Sequence, residues 1–466
     1  MVSSARKTFV LDTNILLSDA SALSSFGDNE IIIPLIVLEE LDSKKNRQDE
    51  VGHAARSISR QLNALRKRGN LHDGVELDNG GFLRVLQTPK LPELSSLDMT
   101  KVDNALIGFA KALNANGTPC ILVSRDINVQ LKCDALGVVA EDYVANRATT
   151  TKDEIYGGVS NITLTADEID SFYLEEPVML DPEVAGKLHP NEILVIKSVE
   201  GLPGQSALAR FQSPTQPLRF LNPSISKKKV FGLTPRNKEQ IFGLDLLLND
   251  SIPLVTLAGA AGCGKSLIAV AAGMEKVIEE GKYEKLVIAR PIQSMGNDLG
   301  FLPGSKEEKL DPWMAPIKDC MNFLLGSKGN LPEVVKKPTS SKRGARTEDY
   351  VFSTNPMLEE WYAHGRIELE ALAYIRGRTF HNTFLIIDEA QNLSLHELKT
   401  ILTRVGENTK IVLTGDIAQI DNTKVDMFTN ALTYAIERFK TYPIAGHVSL
   451  RKGERSALAT LSSEIL

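Results

Sequence analysis

The sequence predicts an α/β fold in which parallel strands alternate with helices over most of the chain. The first observation behind this prediction is a series of short apolar runs, rich in Val, Ile and Leu, that end in polar residues. The second is the helical spacing of apolar residues between those runs, which is typical of a parallel sheet covered on both faces. The third is a middle stretch of short strands separated by Gly, Pro and Asn, which predicts a small β-rich part.

The length of 466 residues predicts two or three domains, and changes in composition place them at 1–148, 149–228 and 229–466. The net charge of −6 excludes a global basic field, so any nucleic-acid binding has to come from local patches. The four cysteines form no C-x-x-C pair, the N-terminus does not resemble a signal peptide, and no apolar stretch approaches about 18 residues. We therefore expect a cytoplasmic protein with reduced thiols and no membrane span.

The most specific motif, G-x-x-x-x-G-K-S, follows an apolar strand at 254–257 and precedes a helical run. Its glycines allow successive backbone N–H groups to point at a phosphate, and the helix N-terminus adds positive partial charge there. The lysine is expected to reach the β- and γ-phosphates, and the serine hydroxyl to bind Mg²⁺. The motif therefore predicts a nucleotide site formed by Gly259, Ala260, Ala261, Gly262, Cys263, Gly264, Lys265 and Ser266.

Two later apolar strands run into the sequences D-E-A-Q and G-D-I-A-Q, which supply polar groups for hydrolysis. We expect Asp388 to hold Mg²⁺ through water, Glu389 to orient and deprotonate the attacking water, and Gln419 to sense the γ-phosphate. Arg455 or Arg378 is a candidate for stabilising transition-state charge, within the chain or across a subunit interface. The other interpretation of these arginines is a surface salt bridge.

Four acidic residues of the first part stand at the ends of predicted elements: Asp12, Glu40, Asp103 and Asp126. An α/β sandwich would bring them together, and carboxylates that lie close remain ionised only when cations neutralise them. Mg²⁺ or Mn²⁺ suits such an all-oxygen site and can activate water for phosphodiester cleavage. We therefore predict a metal site of these four residues, with a catalytic role for Asp103 as well. The alternative is that they are helix caps and turn residues.

The middle part contains three short predicted strands at 161–165, 192–196 and 207–211. Short strands with such breaks predict a small β-barrel or sandwich. A spacer and a nucleic-acid-binding module are equally compatible with this pattern, because a fold alone does not determine function.

The motifs of the first part together resemble a PIN domain. They are L-D-T-N, the run I-I-P-L-I-V-L-E-E-L-D, D-N-A-L-I-G-F-A-K and L-V-S-R-D, and they cover nearly all of residues 7–145. The resemblance implies an RNase H-like, metal-dependent nuclease that acts mostly on RNA. Its acidic set falls on the four residues named above, and the choice of Glu40 over Glu39 rests on the Glu-Leu pair of that family.

The last part resembles a PhoH-family ATPase, which is similar to the N-terminal motor core of superfamily 1 helicases. The resemblance is carried by T-P-R-N-K-E-Q, G-A-A-G-C-G-K-S, A-R-P, G-F-L-P-G, R-G-R-T-F-H-N-T-F-L-I-I-D-E-A-Q-N and L-T-G-D-I-A-Q. It implies a RecA-like P-loop fold, contact of Gln240 with adenine and hence use of ATP, and assembly into a hexameric ring. Because only one motor core is present, translocation would need an oligomer.

Two groups of basic residues are candidates for RNA contact. One is the run 336–346, K-K-P-T-S-S-K-R-G-A-R, and the other comprises Arg56, Arg60 and the R-K-R run at 66–68. Charge runs are more often solvated faces, so this alternative stays open for both groups.

The whole arrangement resembles the PIN–PhoH fusion proteins, which are described as ATP-dependent RNA-unwinding ribonucleases. We therefore expect an ATP-dependent enzyme in which the ATPase part opens single-stranded or tailed duplex RNA and the PIN part cuts it. One alternative is an RNA-stimulated ATPase whose PIN part only clamps RNA. Another is an NTP-dependent, stress-linked assembly scaffold without an RNA substrate.

Overall fold

The chain divides into two compact units, Met1–Arg147 and Ala148–Leu466. The computed structural model describes residues 6–19, 22–47, 50–87, 97–143, 155–199, 206–221, 229–291, 306–327, 355–375, 377–422 and 425–453. Each unit has a hydrophobic core of its own.

The first unit contains a six-stranded sheet in its described part, with strand order β3-β4-β2-β1-β5-β6. All neighbouring strands are parallel except the pair β3 and β4. The strands are β1 (Thr8–Leu11), β2 (Glu30–Pro34), β3 (Val75–Glu76), β4 (Phe82–Leu86), β5 (Cys120–Val123) and β6 (Ala140–Glu141). The helices are α1 (Thr13–Ser18), α2 (Leu35–Lys44), α3 (Glu50–Arg66), α4 (Val102–Ala115) and α5 (Ile127–Ala135).

The centre of this sheet positions the first group of polar residues. All of β1 is buried, as its apolar sequence predicts, and it pairs with both β2 and β5. Asp12 and Ser124 follow directly after β1 and β5, so both leave the sheet at the same edge. The carboxyl edge of parallel strands is the edge at which α/β folds bind ligands.

The second unit begins with a four-stranded sheet of order β10-β9-β8-β7, in which only β7 and β8 are parallel. Its elements are β7 (Val159–Leu164), α6 (Ala166–Tyr173), α7 (Pro182–Ala185), β8 (Ile193–Ser198), β9 (Ser206–Arg210) and β10 (Arg219–Phe220). On one face of β8, Leu194 and Ile196 pack with Phe172 of α6. On the other face, Ile193 belongs to the core of the following sheet, and the partly buried Val195 packs against that core. This sheet is therefore packed on both faces.

The rest of the second unit is a parallel sheet of order β13-β12-β14-β15-β11-β16 across its described strands. Its strands are β11 (Leu254–Gly259), β12 (Lys285–Arg290), β13 (Ile367–Ala371), β14 (Thr383–Ile387), β15 (Lys410–Gly415) and β16 (Ala445–Leu450). Its helices are α8 (Lys238–Leu248), α9 (Lys265–Met274), α10 (Lys306–Ser327), α11 (Pro356–Ala363), α12 (Leu372–Ile375), α13 (Leu395–Leu402) and α14 (Ala431–Phe439). Cores on the two faces of this sheet confirm the predicted α/β architecture.

Two differences between the structure and the sequence prediction concern the architecture of the second unit. The middle sheet is a single open sheet in its described part, not a barrel or sandwich, because the core of the following parallel sheet covers the face that a second sheet would otherwise bury. Sequence reasoning also missed β13, since Glu368 and Glu370 interrupt its apolar pattern. These glutamates are tolerated because Lys285 and Arg378 pair with them at the edge of the sheet. Within the described helices, none is long and apolar enough to span a bilayer.

Candidate nucleotide and carboxylate sites

The phosphate-binding loop lies between β11 and α9, where the motif predicts it. Gly262 and Gly264 have φ angles of 82° and 91°, which glycine adopts without strain. A Cβ atom at Gly259 would lie 2.4 Å from the Leu450 carbonyl oxygen, so this position admits only glycine. Helix α9 begins at Lys265, whose side chain is buried against the loop. The loop therefore has the curled backbone that binds phosphate through N–H groups.

Ser266 and Asp388, the two residues expected to bind Mg²⁺, are in contact. The Ser266 hydroxyl donates to Oδ1 of Asp388 over 2.8 Å, and the Thr414 hydroxyl donates to the same oxygen over 2.6 Å. Asp388 is 2% exposed. A serine hydroxyl next to a buried carboxylate is the hard-oxygen chemistry that fits Mg²⁺ beside a bound triphosphate.

Glu389 follows Asp388 and is held on both of its carboxylate oxygens. Its Oε1 lies 3.1 Å from a terminal nitrogen of Arg290, and its Oε2 accepts a hydrogen bond of 2.7 Å from the Gln391 amide. The backbone of Glu389 has a φ of 58°, a left-handed conformation that is uncommon for a residue other than glycine. The structure thus fixes the orientation of the carboxylate expected to activate water.

Gln391 connects this carboxylate to the loop after β15. Its amide nitrogen also donates to the Gln419 carbonyl over 2.9 Å, and its amide oxygen accepts from the backbone N–H of Asp416 over 3.2 Å. Asp416 in turn accepts from the backbone N–H of Ala261 in the phosphate-binding loop. A Cβ atom at Gly415 would lie 2.2 Å from the Gln391 amide oxygen, so Gly415 permits this close contact. One hydrogen-bond network therefore joins the phosphate loop, Glu389 and the segment of Gln419.

Gln240, the residue expected to contact adenine, is buried at the start of α8. Its amide oxygen accepts from the backbone N–H of Arg236 over 2.9 Å, and its amide nitrogen donates to the Cys263 carbonyl over 3.1 Å. Each amide atom keeps capacity for one further hydrogen bond. Gln240 lines a cavity of about 620 Å³ together with Gly262, Gly264 and Phe323 of α10, a residue that is 50% exposed. The volume and apolar lining of this cavity suit a nucleotide base.

Of the two arginines expected to act in hydrolysis, the structure describes only Arg378. Arg378 pairs with Glu368 at 2.7 Å and with Glu370 at 3.8 Å. Arg455 lies outside the described residues. The arginine that does contact the acids is Arg290, which sequence reasoning did not select.

In the first unit, Asp12 forms the centre of the carboxylate site. Its Oδ2 accepts from the Ser124 hydroxyl and from the Asn14 amide, both over 2.6 Å. Burial raises the pKa of Asp12 to about 6; the Ser124 hydrogen bond acts against this shift and the charge of Asp103 adds to it. The buried Thr13 hydroxyl has no hydrogen-bond partner among the described residues. A buried, incompletely neutralised carboxylate beside an unpaired hydroxyl suits a hard cation.

The other three predicted acids have different surroundings. Asp126 is the N-cap of α5 and accepts from the Asn128 backbone N–H, and its own N–H donates to the Ser124 hydroxyl. Asp103 lies in the first turn of α4. Glu40 pairs with Lys44 at 3.7 Å on α2. In the part of the chain that the structure describes, no three His, Cys, Asp or Glu side chains form a group that could hold a metal ion.

The basic candidates for RNA contact are only partly described. Arg56 donates to two backbone carbonyls between α2 and α3, and Arg68 pairs with the exposed Asp78 at 2.6 Å. Arg60 is exposed on α3. The run 336–346 lies outside the described residues.

Sequence reasoning missed the polar partners that complete both sites. They are Asn14 and Ser124 in the first unit and Arg290, Gln391, Thr414 and Asp416 in the second. Most of them stand at or just beyond the carboxyl end of a strand, as the selected acids do. This shared position is the signal that could have placed them among the candidates, although other polar residues at strand ends share it.

Two family models match the chain. The model described as "PIN domain" matches residues 9–144, and the model described as "PhoH-like protein" matches residues 232–461. Protein PhoH2 of Bacillus subtilis (strain 168) is 42% identical over 470 residues, which cover 99% of this chain and 100% of that relative. Protein PhoH2 of Thermobispora bispora is 33% identical, covering 99% of this chain and 96% of that relative. Protein PhoH of Escherichia coli (strain K12) is 32% identical and covers 48% of this chain and 55% of that relative.

The matches to both PhoH2 proteins run through both units, and the site geometry supports a P-loop ATPase. The chain therefore belongs to the PhoH2 family, with a PIN domain followed by a PhoH-like ATPase.

Proposed function

We propose that this protein is an ATP-driven RNA-processing enzyme in which the PhoH-like part opens RNA and the PIN domain cuts it. The observation that supports the proposal most is the continuous network from the phosphate loop to Glu389 and Gln419 in a chain that also has a buried carboxylate site at Asp12. The first feature suits ATP hydrolysis and the second suits phosphodiester cleavage.

In ATP hydrolysis, Lys265 would bind the β- and γ-phosphates, and Ser266 and Asp388 would hold Mg²⁺, which neutralises phosphate charge when bound. Glu389 orients the attacking water and accepts its proton, a role that its two-sided hydrogen bonding favours. Gln419 senses the γ-phosphate and transmits its presence through Gln391. Gln240 and the cavity beside it would take the adenine base.

In RNA cleavage, Asp12 would anchor divalent metal, Mg²⁺ or Mn²⁺, with Asp103, Asp126 and Glu40 as the other acidic groups. Bound metal would supply an activated water and stabilise the leaving oxygen. Ser124 and Asn14 orient the Asp12 carboxylate through their hydrogen bonds. Asp103 adds negative charge near Asp12 and thereby favours cation binding.

The remaining proposals concern partners. A cytoplasmic homo-oligomer, in the form of a hexameric ring, would place several single ATPase cores around one RNA strand. The exposed Arg60 on α3 and the basic run 336–346 are candidate phosphate contacts.

ATP turnover with and without single-stranded RNA tests the ATPase half of the proposal. We expect RNA to raise ATP turnover by about tenfold or more, because a motor that moves along RNA hydrolyses ATP fastest when RNA is bound. We expect Lys265→Ala to abolish turnover with and without RNA. Asp12→Asn is the matched control, since it changes only the PIN site and leaves stimulation intact. Turnover that does not respond to RNA contradicts the proposal and favours the scaffold alternative.

A further inference from the structure

Arg290 is brought to the hydrolysis site by the register of the sheet. It is the last residue of β12, which pairs in parallel with β14 so that Ala289 lies opposite Ile387. The backbone N–H of Asp388 donates to the Ala289 carbonyl over 2.9 Å. The two residues that follow, Arg290 and Asp388, therefore leave the sheet side by side.

The guanidinium of Arg290 contacts both acids and a helix. Its Nε lies 3.3 Å from Oδ2 of Asp388, and one terminal nitrogen lies 3.1 Å from Oε1 of Glu389. The other terminal nitrogen donates to the Trp313 carbonyl of α10 over 2.8 Å. The planar fork of arginine makes such divergent contacts in one fixed geometry, which a lysine ammonium cannot reproduce.

These contacts hold the side chain of Glu389, a residue whose backbone conformation is itself uncommon. Glu389 adopts a left-handed φ, and such conformations persist only where surrounding contacts hold them. Gln391 holds Oε2, so Arg290 is the group that holds Oε1. Loss of Arg290 would leave the carboxylate tethered on one side only, free to rotate about its terminal bonds.

Arg290 also faces the space in which the reaction would occur. It lines a cavity of about 520 Å³ together with Glu389, Gln419 and Trp313. The guanidinium carries five N–H donors, and the three contacts leave donors available toward that cavity. Arg290 therefore shares one cavity with Glu389 and Gln419, the two residues proposed to act on the attacking water and the γ-phosphate.

We propose that Arg290 is a positioning residue for ATP hydrolysis in this chain, which fixes the Glu389 carboxylate relative to Asp388 and the γ-phosphate. The proposal rests on the ATPase activity proposed above. This positioning role differs from the stabilisation of transition-state charge for which Arg378 or Arg455 is the candidate from the sequence. It predicts an effect on turnover that passes through Glu389 and not through nucleotide binding.

The first test compares turnover and binding. For Arg290→Ala we expect kcat to fall by about 30-fold or more, while KM and the Kd for a non-hydrolysable ATP analogue change by less than about threefold. Lys285→Ala is the matched control, because Lys285 is an ion-paired cation at the opposite end of the same strand. It should leave kcat unchanged.

The second test is a double-mutant cycle with Glu389→Gln. If Arg290 acts through Glu389, adding Arg290→Ala to Glu389→Gln lowers kcat no further. Arg290→Lys, which keeps the charge, repeats the cycle in case the alanine variant does not fold, and we expect it to lose about threefold to tenfold in kcat.

The inference would be overturned by an unchanged kcat in Arg290→Ala, or by the same fractional loss of kcat in the presence and absence of Glu389→Gln. An equal loss of kcat and analogue binding would also overturn it, since it would indicate a structural role. If the wild-type protein neither binds the analogue nor turns over ATP, the proposed function fails, which is a distinct outcome.

Discussion

A single methyl group decides whether the hydrolysis network can form at Gly415. An added Cβ would lie 2.2 Å from the Gln391 amide oxygen and 2.9 Å from the Leu432 side chain. We expect Gly415→Ala to displace Gln391, loosen Glu389 and lower kcat for ATP by about tenfold, with a smaller change in nucleotide affinity. Gly453→Ala, where the new methyl group meets no atom of the described residues within 4 Å, is the control in steady-state kinetics. Equal kcat values for the two variants would contradict the role of the Gly415–Gln391 contact in holding Glu389 for hydrolysis.

His447 makes the stability of the second unit depend on pH. It is buried in β16, its Nδ1 lies 2.8 Å from the Thr256 hydroxyl, and burial lowers its pKa to about 3. Because the unfolded chain binds this proton near pH 6.5 and the folded chain does not, the free energy of unfolding decreases as pH falls from about 6.5 toward 3. The contribution amounts to about 2 kcal/mol between pH 7 and pH 5.

Urea unfolding at pH 7 and pH 5 measures this effect. The decrease in the free energy of unfolding from pH 7 to pH 5 should be about 2 kcal/mol smaller in His447→Gln than in the wild type. His364→Gln, which removes an exposed histidine, should leave this decrease unchanged. If His447→Gln loses as much free energy of unfolding between pH 7 and pH 5 as the wild type does, the His447 ring is not neutral and buried in the folded protein.

At the residue scale, the site residues that belong to short sequence motifs can be predicted from the sequence. Those that contact the site from distant positions in the chain cannot. The phosphate loop is local, and its position between β11 and α9 follows directly from the motif. Ser124 reaches Asp12 across 112 positions, and Arg290 reaches Glu389 across 99. Nothing in the sequence near Ser124 or Arg290 distinguishes them from other polar residues at strand ends.

At the element scale, one ion pair ties the middle sheet to the ATPase core. Nε of Arg210 in β9 lies 3.1 Å from Oδ2 of Asp245 in α8, with the side chains 1% and 5% exposed. Arg210 also donates to Asn191, whose amide bonds the carbonyls of Pro443 and Ala445 before and at the start of β16. The middle sheet is therefore attached to the ATPase by buried polar contacts as well as by apolar packing.

Removing the charge of Asp245 should be costly, because it leaves the Arg210 charge buried without its partner. We expect Asp245→Asn to lower the free energy of unfolding of the second unit by about 3 kcal/mol. Asp250→Asn, which affects a more exposed pair with Lys276, should lower it by less than about 1 kcal/mol. Chemical denaturation measures both, and equal effects would argue against the buried pair as a link.

Elements that are uniformly apolar were predicted well, and those with mixed faces were not. The predicted strand at 30–34 matches β2, and the run 383–387 matches β14. Helix α6 and strand β13 have charged residues between their apolar ones, so neither contains a continuous apolar run. The apolar strand faces of the middle sheet indicated β structure, but the sequence contained no sign that one face would pack on the ATPase core.

At the scale of the whole molecule, one chain combines a PIN domain with a PhoH-like ATPase. The family membership and the P-loop ATPase assignment rest on the matched regions and on the site geometry. The central proposal is that ATP use and RNA cleavage are coupled. A nuclease that cuts single-stranded RNA can cut a duplex only after a motor has opened it.

The most direct test of this claim is cleavage of a labelled RNA that has a duplex and a single-stranded tail, with Mg²⁺ or Mn²⁺ and with or without ATP. We predict that the wild-type protein cuts the tail and, with ATP, the duplex region. Lys265→Ala should cut only the tail, and Asp103→Ala should cut neither while it retains ATP turnover. If the RNA stays intact in every condition although it stimulates ATP turnover, the PIN domain is a clamp. If Lys265→Ala cuts the duplex as well as the wild type does, the two activities are not coupled, and the central claim is wrong.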